Sequence, residues 1–140
     1  NIHLNGLEKL GVQFSVENGF VYGEVKNKLI GSIIDLSFPS VGATENILMA
    51  ATLAEGKTII NNAAKEPEIE DLSKCLNKMG AKIIGAGTEQ ITIEGVNSLS
   101  KTEYTIMPDR IVAGTYLIAA IILNNEFMIK ILTLIYFIFH

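Results

Sequence analysis

The sequence is short of the residues that several kinds of chemistry require. It holds one cysteine, Cys75, so no internal disulfide can form, which fits a reducing compartment. Ten of its 11 basic residues are lysine, leaving Arg110 as the only guanidinium. A formal net charge of −4 supplies no basic field for nucleic acid. The two histidines, His3 and His140, stand near the ends without a second ligand at metal spacing, so no metal centre is read. Neither a P-loop nor a Gly-x-Gly-x-x-Gly turn is present, and no signal peptide opens the chain. The tail run Ile131 to Phe139 is 9 residues long, where a bilayer-spanning helix needs about 20. No membrane span is expected.

What is present is apolar. Hydrophobic residues make up 49% and charged residues 19% of the 140, which argues against disorder and fits about one domain by length. The excess lies in the last fifteen residues, Glu126 to His140, of which 11 are apolar and four aromatic. Asn1 to Asn125 has an ordinary globular composition. The chain opens without an initiator methionine and closes on an unfinished apolar run, so a part of a longer protein is expected.

The sequence repeats itself at an offset of 69 residues. Leu7-x-x-Leu10-Gly11-Val12-x-Phe14 returns as Leu76-x-x-Met79-Gly80-Ala81-x-Ile83, and Leu48-Met49-Ala50-Ala51 returns as Leu117-Ile118-Ala119-Ala120. Pro39 maps onto Pro108 at the same offset. Each copy reads as a helix end (Leu7 to Leu10, Asp71 to Met79) stopped by Gly11 or Gly80. Two β-rich runs around a glycine turn follow: Val12 to Val16 and Phe20 to Val25 in one copy, Ala81 to Ile84 and Gln90 to Ile93 in the other. A further strand, Ser32 to Leu36 or Glu103 to Met107, is broken by proline ahead of an Ala-rich helix, Val41 to Ala54 or Ile111 to Leu123. Lys57 to Asn61 then returns as a strand. The class is mixed α/β built from repeated units, each too small to be stable alone.

Three stretches carry candidate chemistry. In Phe38-Pro39-Ser40-Val41-Gly42-Ala43-Thr44, Ser40 stands where a helix N-cap belongs, and Gly42 leaves the first turn open to close approach. Free N–H groups there suit an anion; on residues alone, Ser40 and Gly42 also read as a cap and a packing contact. In Glu66-Pro67-Glu68-Ile69-Glu70-Asp71, carboxylates gather in the first turn of a helix that Pro67 starts. They are cleft residues or simply a well-started surface helix. Asp109 caps the second Ala-rich helix as Ser40 caps the first. Arg110 puts a cation in the first turn, against the helix dipole, for function or for an ion pair with Glu66 or Glu68. Cys75, among Leu72, Leu76 and Met79, reads as an inert core thiol.

Several of these motifs, in this order, resemble the UDP-N-acetylglucosamine enolpyruvyl transferases. The resemblance is carried by Phe38-Pro39-Ser40-Val41-Gly42-Ala43-Thr44-Glu45-Asn46-Ile47, Ala50-Ala51-Thr52-Leu53-Ala54-Glu55-Gly56 and Asn62-Ala63-Ala64-Lys65-Glu66-Pro67-Glu68-Ile69. Met79-Gly80-Ala81-Lys82-Ile83, Gly85-Ala86-Gly87-Thr88 and Ile106-Met107-Pro108-Asp109-Arg110-Ile111 extend it, from about Asn1 to Ala120. It implies a cytoplasmic enzyme of peptidoglycan precursor synthesis. That enzyme moves the enolpyruvyl group of phosphoenolpyruvate onto the 3-hydroxyl of UDP-N-acetylglucosamine and uses no cofactor. The implied fold is two lobes, each an inside-out α/β barrel of three repeated units. Residues 1–107 are then expected from one lobe, 108–125 from the start of the other, and 126–140 as an apolar tail outside the family pattern, with a truncated or frame-shifted gene as its expected origin.

Carried over by position, Pro39, Ser40, Val41 and Gly42 fall in the segment that holds the sugar nucleotide. Asn1 and Ile2 fall just after the family's Arg-Pro-[Val/Ile] motif, Asn1 standing where Asp is usual. Glu66, Glu68, Asp109 and Arg110 match polar residues directed to the cleft. No catalytic residue is expected here, because the matched stretch omits the family's proton-donor loop, its phosphoenolpyruvate-binding arginines and its carboxylate base. Activity of the chain alone is therefore not expected. Three other readings are weighed: a part of the sibling enzyme that uses shikimate 3-phosphate, which would want more cations than Arg110; a non-catalytic remnant; and a membrane-associated peptide driven by the tail, which the short apolar run and the lack of flanking basic residues support poorly.

Overall fold

The computed structural model describes residues 1–123; the apolar tail at 126–140 lies outside them. The chain divides into two compact units, Asn1–Tyr104 and the stretch from Thr105 onward. The first contains α1 (Ile2–Lys9), β1 (Gln13–Glu17), β2 (Phe20–Glu24), β3 (Ile33–Asp35), α2 (Val41–Ala51), β4 (Lys57–Asn61), α3 (Pro67–Lys78), β5 (Lys82–Ile84) and β6 (Gln90–Glu94). The second contains α4 (Arg110–Leu123).

The repeat is visible in how α1 and α3 end. After α1, Gly11 takes a φ of 99° while Val12 N–H reaches back to Leu7 C=O (3.2 Å) and Gly11 N–H to Glu8 C=O (2.9 Å). After α3, Gly80 takes a φ of 104°, Ala81 N–H reaches Leu76 C=O (3.0 Å) and Gly80 N–H reaches Asn77 C=O (3.0 Å). Both are the same two-bond terminator, which requires a left-handed residue at the glycine. Each then leads into an antiparallel hairpin, β1–β2 or β5–β6.

In the first unit β3 and β4 pair in parallel across the α2 crossover, and β6 then joins β4 antiparallel, giving the order β3-β4-β6-β5. Alternation sets the inner face of this sheet: Thr58 and Ile60 of β4 and Ile91 and Ile93 of β6 are fully buried, with Ile60 opposite Ile91 and Thr58 opposite Ile93. On that face lie Ile47, Leu48 and Ala51 of α2 and Ile69 and Leu76 of α3, together with Leu10 after α1. The β1–β2 hairpin forms a separate two-stranded sheet, leaving Val16, Phe20, Val21 and Tyr22 exposed.

Three sequence expectations change. The helix expected to reach Ala54 stops at Ala51, where Thr52 becomes the C-cap and its hydroxyl donates to Met49 C=O (2.6 Å). The first helix is longer than its Leu7 to Leu10 signature and begins at Ile2. Glu103 to Met107 is not a strand. Its counterpart β3 is held by pairing with β4, and the positions one repeat after β4 are 126–130, outside the described residues. Among the described residues Glu103 to Met107 has no strand partner, and a short strand needs one for its N–H and C=O groups.

Candidate functional site

The start of α2 is built from the Ser40 stretch. Ser40 adopts an extended backbone (φ −90°, ψ 121°), and its Oγ accepts from Ala43 N–H at 3.4 Å, the N-cap geometry read from the sequence. That bond satisfies the third N–H of the helix. The first two, of Val41 and Gly42, project from the N-terminus without an intrahelical partner, on a half-buried surface beside exposed Phe38 and Pro39.

Thr44 ties this turn to the segment leading into α3. Its hydroxyl donates to Ser40 C=O (2.8 Å) and accepts from Ala64 N–H (3.1 Å), both within a fully buried side chain. Ala64 precedes Glu66, the N-cap residue of α3, whose side chain makes no cap bond. Pro67 starts that helix, with Glu68 and Glu70 in its first turn. Glu70 pairs with Lys74 one turn on, at 3.4 Å.

The start of α1 meets the start of α2. Asn1 caps α1, its Oδ1 accepting from His3 N–H at 3.1 Å. The His3 ring lies against the first two turns of α2: Asn46 Nδ2 donates to His3 Nδ1 at 2.9 Å, and a Cβ on Gly42 would stand 3.2 Å from His3 Cε1. Asn1 and Ile2 are thus brought beside Ser40, Val41 and Gly42 through His3, with two helix N-termini at one end of the helix pair. In the second unit, Asp109 caps α4 as Ser40 caps α2, its Oδ1 accepting from Ile111 and Val112 N–H at 2.9 Å each. Arg110 is the first residue of that helix.

His3, Thr44 and Asn46 are neighbours of the candidate site to which motif reading assigns no role. His3 fails a metal test, Thr44 sits on an apolar helix face, and Asn46 is an exposed polar residue. Only the hydroxyl four residues after an N-cap carried a signal, because such a side chain can bond back to the cap carbonyl. Among the described residues no cluster of His, Cys, Asp and Glu could hold a metal ion. None of their helices is long and apolar enough to cross a membrane. Cys75 is a free, half-buried thiol on α3.

Two titratable groups are displaced. A hydrogen bond from Lys65, then its charge, holds the Glu89 carboxyl below its usual range. Burial, then the bond to Asp71, pushes the Tyr104 phenol up. A cleft of about 460 Å³ lies at the other end of α2, lined among others by Lys28, Leu53, Glu55, Gly95 and Asn97. None of the candidate site residues read from the sequence lines it.

The family profile described as EPSP synthase (3-phosphoshikimate 1-carboxyvinyltransferase) matches residues 1–134. The chain belongs to the EPSP synthase family. Within that family it is 55% identical over 128 residues to UDP-N-acetylglucosamine 1-carboxyvinyltransferase 1 of Staphylococcus aureus, covering 91% of this chain and 30% of the relative. It is 60% identical over 127 residues to UDP-N-acetylglucosamine 1-carboxyvinyltransferase 2 of Caldanaerobacter subterraneus, covering 90% of this chain and again 30% of the relative. The chain therefore spans about 30% of the length of these curated relatives. Its fold is that of solved EPSP synthase family members. The enolpyruvyl transferase NikO from Streptomyces tendae matches 84% of this chain at a TM-score of 0.73 and 23% identity, over 30% of its own length. An EPSP synthase from Acinetobacter baumannii matches 84% of this chain at a TM-score of 0.65 and 24% identity, over 27% of its own length. The family match runs to residue 134 and so takes in part of the apolar stretch after Asn125.

Proposed function

We propose that the chain is part of a UDP-N-acetylglucosamine enolpyruvyl transferase, supplying a wall of the sugar-nucleotide site. The observation that carries this is the 55–60% identity to 1-carboxyvinyltransferases named for UDP-N-acetylglucosamine over about nine-tenths of the chain. The local geometry supports it. His3, which follows Asn1 and Ile2, lies against Gly42 where two helix N-termini come together, and N–H groups without an intrahelical partner at such a place favour a diphosphate. In this reading Pro39 and Ser40 set the helix entry, and Val41 and Gly42 offer their N–H groups. In the same reading Glu66 and Glu68 of the first unit, and Asp109 and Arg110 of the second, are polar binding residues of the whole enzyme. The whole enzyme would transfer enolpyruvyl from phosphoenolpyruvate to the 3-hydroxyl of UDP-N-acetylglucosamine in peptidoglycan precursor synthesis, in the cytoplasm and without a cofactor.

The sibling reading, a site for shikimate 3-phosphate, has the family description in its favour. Against it stands the single guanidinium, Arg110, where a dianionic monoester calls for several cations. Calorimetry on the 140-residue chain separates the two. Heat with UDP-N-acetylglucosamine, lost on Ser40→Ala or Gly42→Val, supports the sugar-nucleotide wall; heat with shikimate 3-phosphate instead would replace it. Release of phosphate from phosphoenolpyruvate by this chain alone is not expected and would overturn the assignment of its residues to binding only.

A further inference from the structure

The polar clamp between α1 and α2 is more than helix packing. We infer that His3 is a positioning residue, which holds the Asn1–Ile2 turn in register with Ser40–Gly42 so that the two segments meet a ligand as one surface; this rests on the reading proposed above for those segments.

His3 is held at three points. Its backbone N–H is taken by Asn1 Oδ1 at 3.1 Å, its Nδ1 by Asn46 Nδ2 at 2.9 Å, and its Cε1 lies over the bare Cα of Gly42. An amide nitrogen can only donate, so in this pairing Nδ1 is the acceptor. The ring is thus held by α2, while the residue's backbone belongs to the first turn of α1. One turn further along, a Cβ on Gly6 would overlap Ile47 Cδ1, so the two helices are already at their closest approach and the clamp sets their rotation rather than their separation. Gly42 then has a double use. The absence of a side chain lets the ring in on one side and keeps the first N–H groups of α2 open. A surface assembled from two segments costs a ligand the entropy of ordering them, and a clamp made beforehand removes that cost. His3 therefore acts on affinity through Asn46 and Gly42.

The test uses the full 140-residue chain with UDP-N-acetylglucosamine, reading affinity by calorimetry, melting temperature, and the ¹⁵N shifts of the His3 ring. His3→Ala is expected to weaken binding about tenfold, and Asn46→Ala, a change at an exposed position, about threefold, the scale of one ordered side chain. His3→Gln, whose side-chain oxygen can accept from Asn46, is expected to recover most of the loss. The Nδ1 shift of the free protein is expected to move on Asn46→Ala, as that of a hydrogen-bonded nitrogen does when its partner is removed. Wild-type binding with unchanged affinity in His3→Ala and Asn46→Ala, whatever happens to the melting temperature, would overturn the inference. His3 ring shifts that do not change on Asn46→Ala would overturn it without any ligand. Absence of wild-type binding strikes instead at the sugar-nucleotide reading, and the ring shifts tell that failure apart.

Discussion

Two buried threonines of similar size call for opposite outcomes when the hydroxyl is removed. Thr44 Oγ1 bridges Ser40 C=O and Ala64 N–H, so Thr44→Val strands a buried N–H. Such a loss costs about 1–3 kcal/mol, and urea denaturation should show it. Thr58 Oγ1 is buried with no hydrogen-bond partner among the described residues. Thr58→Val removes an uncompensated desolvation penalty and should leave stability unchanged or raise it by about 1 kcal/mol. A loss of stability in Thr58→Val together with none in Thr44→Val would mean the bonding of α2 to Ala64 is wrongly drawn. At this scale the sequence was legible where one residue answers its immediate neighbours. Ser40 and Asp109 cap their helices because each follows a proline and precedes an Ala-rich run. Thr44 and His3 were not legible, since their partners Ala64 and Asn46 lie 20 and 43 residues away along the chain.

The terminators of α1 and α3 make a matched pair at the scale of elements. Gly11→Ala and Gly80→Ala each force an L-residue into the left-handed region, a cost of about 1–2 kcal/mol. A Cβ meets no other atom at either position, so the two should destabilise by nearly equal amounts in chemical denaturation. The same spacing that showed the repeat in the sequence shows why glycine is needed twice. Strand content was legible for the same reason, except at Glu103 to Met107, because a short strand depends on a partner that local pattern does not reveal. That stretch instead begins by strapping α3. Ser100 N–H donates to Met79 C=O (2.8 Å), Lys78 Nζ to Glu103 C=O (2.6 Å) and the Tyr104 hydroxyl to Asp71 Oδ1 (2.9 Å).

Burial and Asp71 raise the Tyr104 phenol above its unfolded value, so the strap's contribution is fully present below about pH 10. It is lost as pH rises through the folded value. Stability measured from pH 8 to pH 11 should fall more steeply in the wild type than in Tyr104→Phe. Parallel curves would show that the Tyr104 hydroxyl contributes nothing to the strap.

At the scale of the whole molecule, the first unit has a core of its own, whereas α4 has no buried residue and the β1–β2 hairpin leaves Phe20 and Tyr22 open. A chain that spans about 30% of its relatives carries faces of this kind as a matter of surface and volume. These exposed apolar residues belong to the repeated units, and the 69-residue spacing makes that architecture legible in the sequence alone. Which of its surfaces meets a ligand is not legible in that way, because the starts of α1 and α2 lie about forty residues apart along the chain and only folding joins them. Whether those joined starts form a sugar-nucleotide wall is tested most directly by the amide spectrum of the ¹⁵N-labelled chain titrated with UDP-N-acetylglucosamine. Saturable shifts are expected at His3, Val41, Gly42 and Ala43, with Lys28, Gly95 and Asn97 of the opposite cleft unmoved. Shifts confined to that cleft, or none at saturating ligand, would refute the wall.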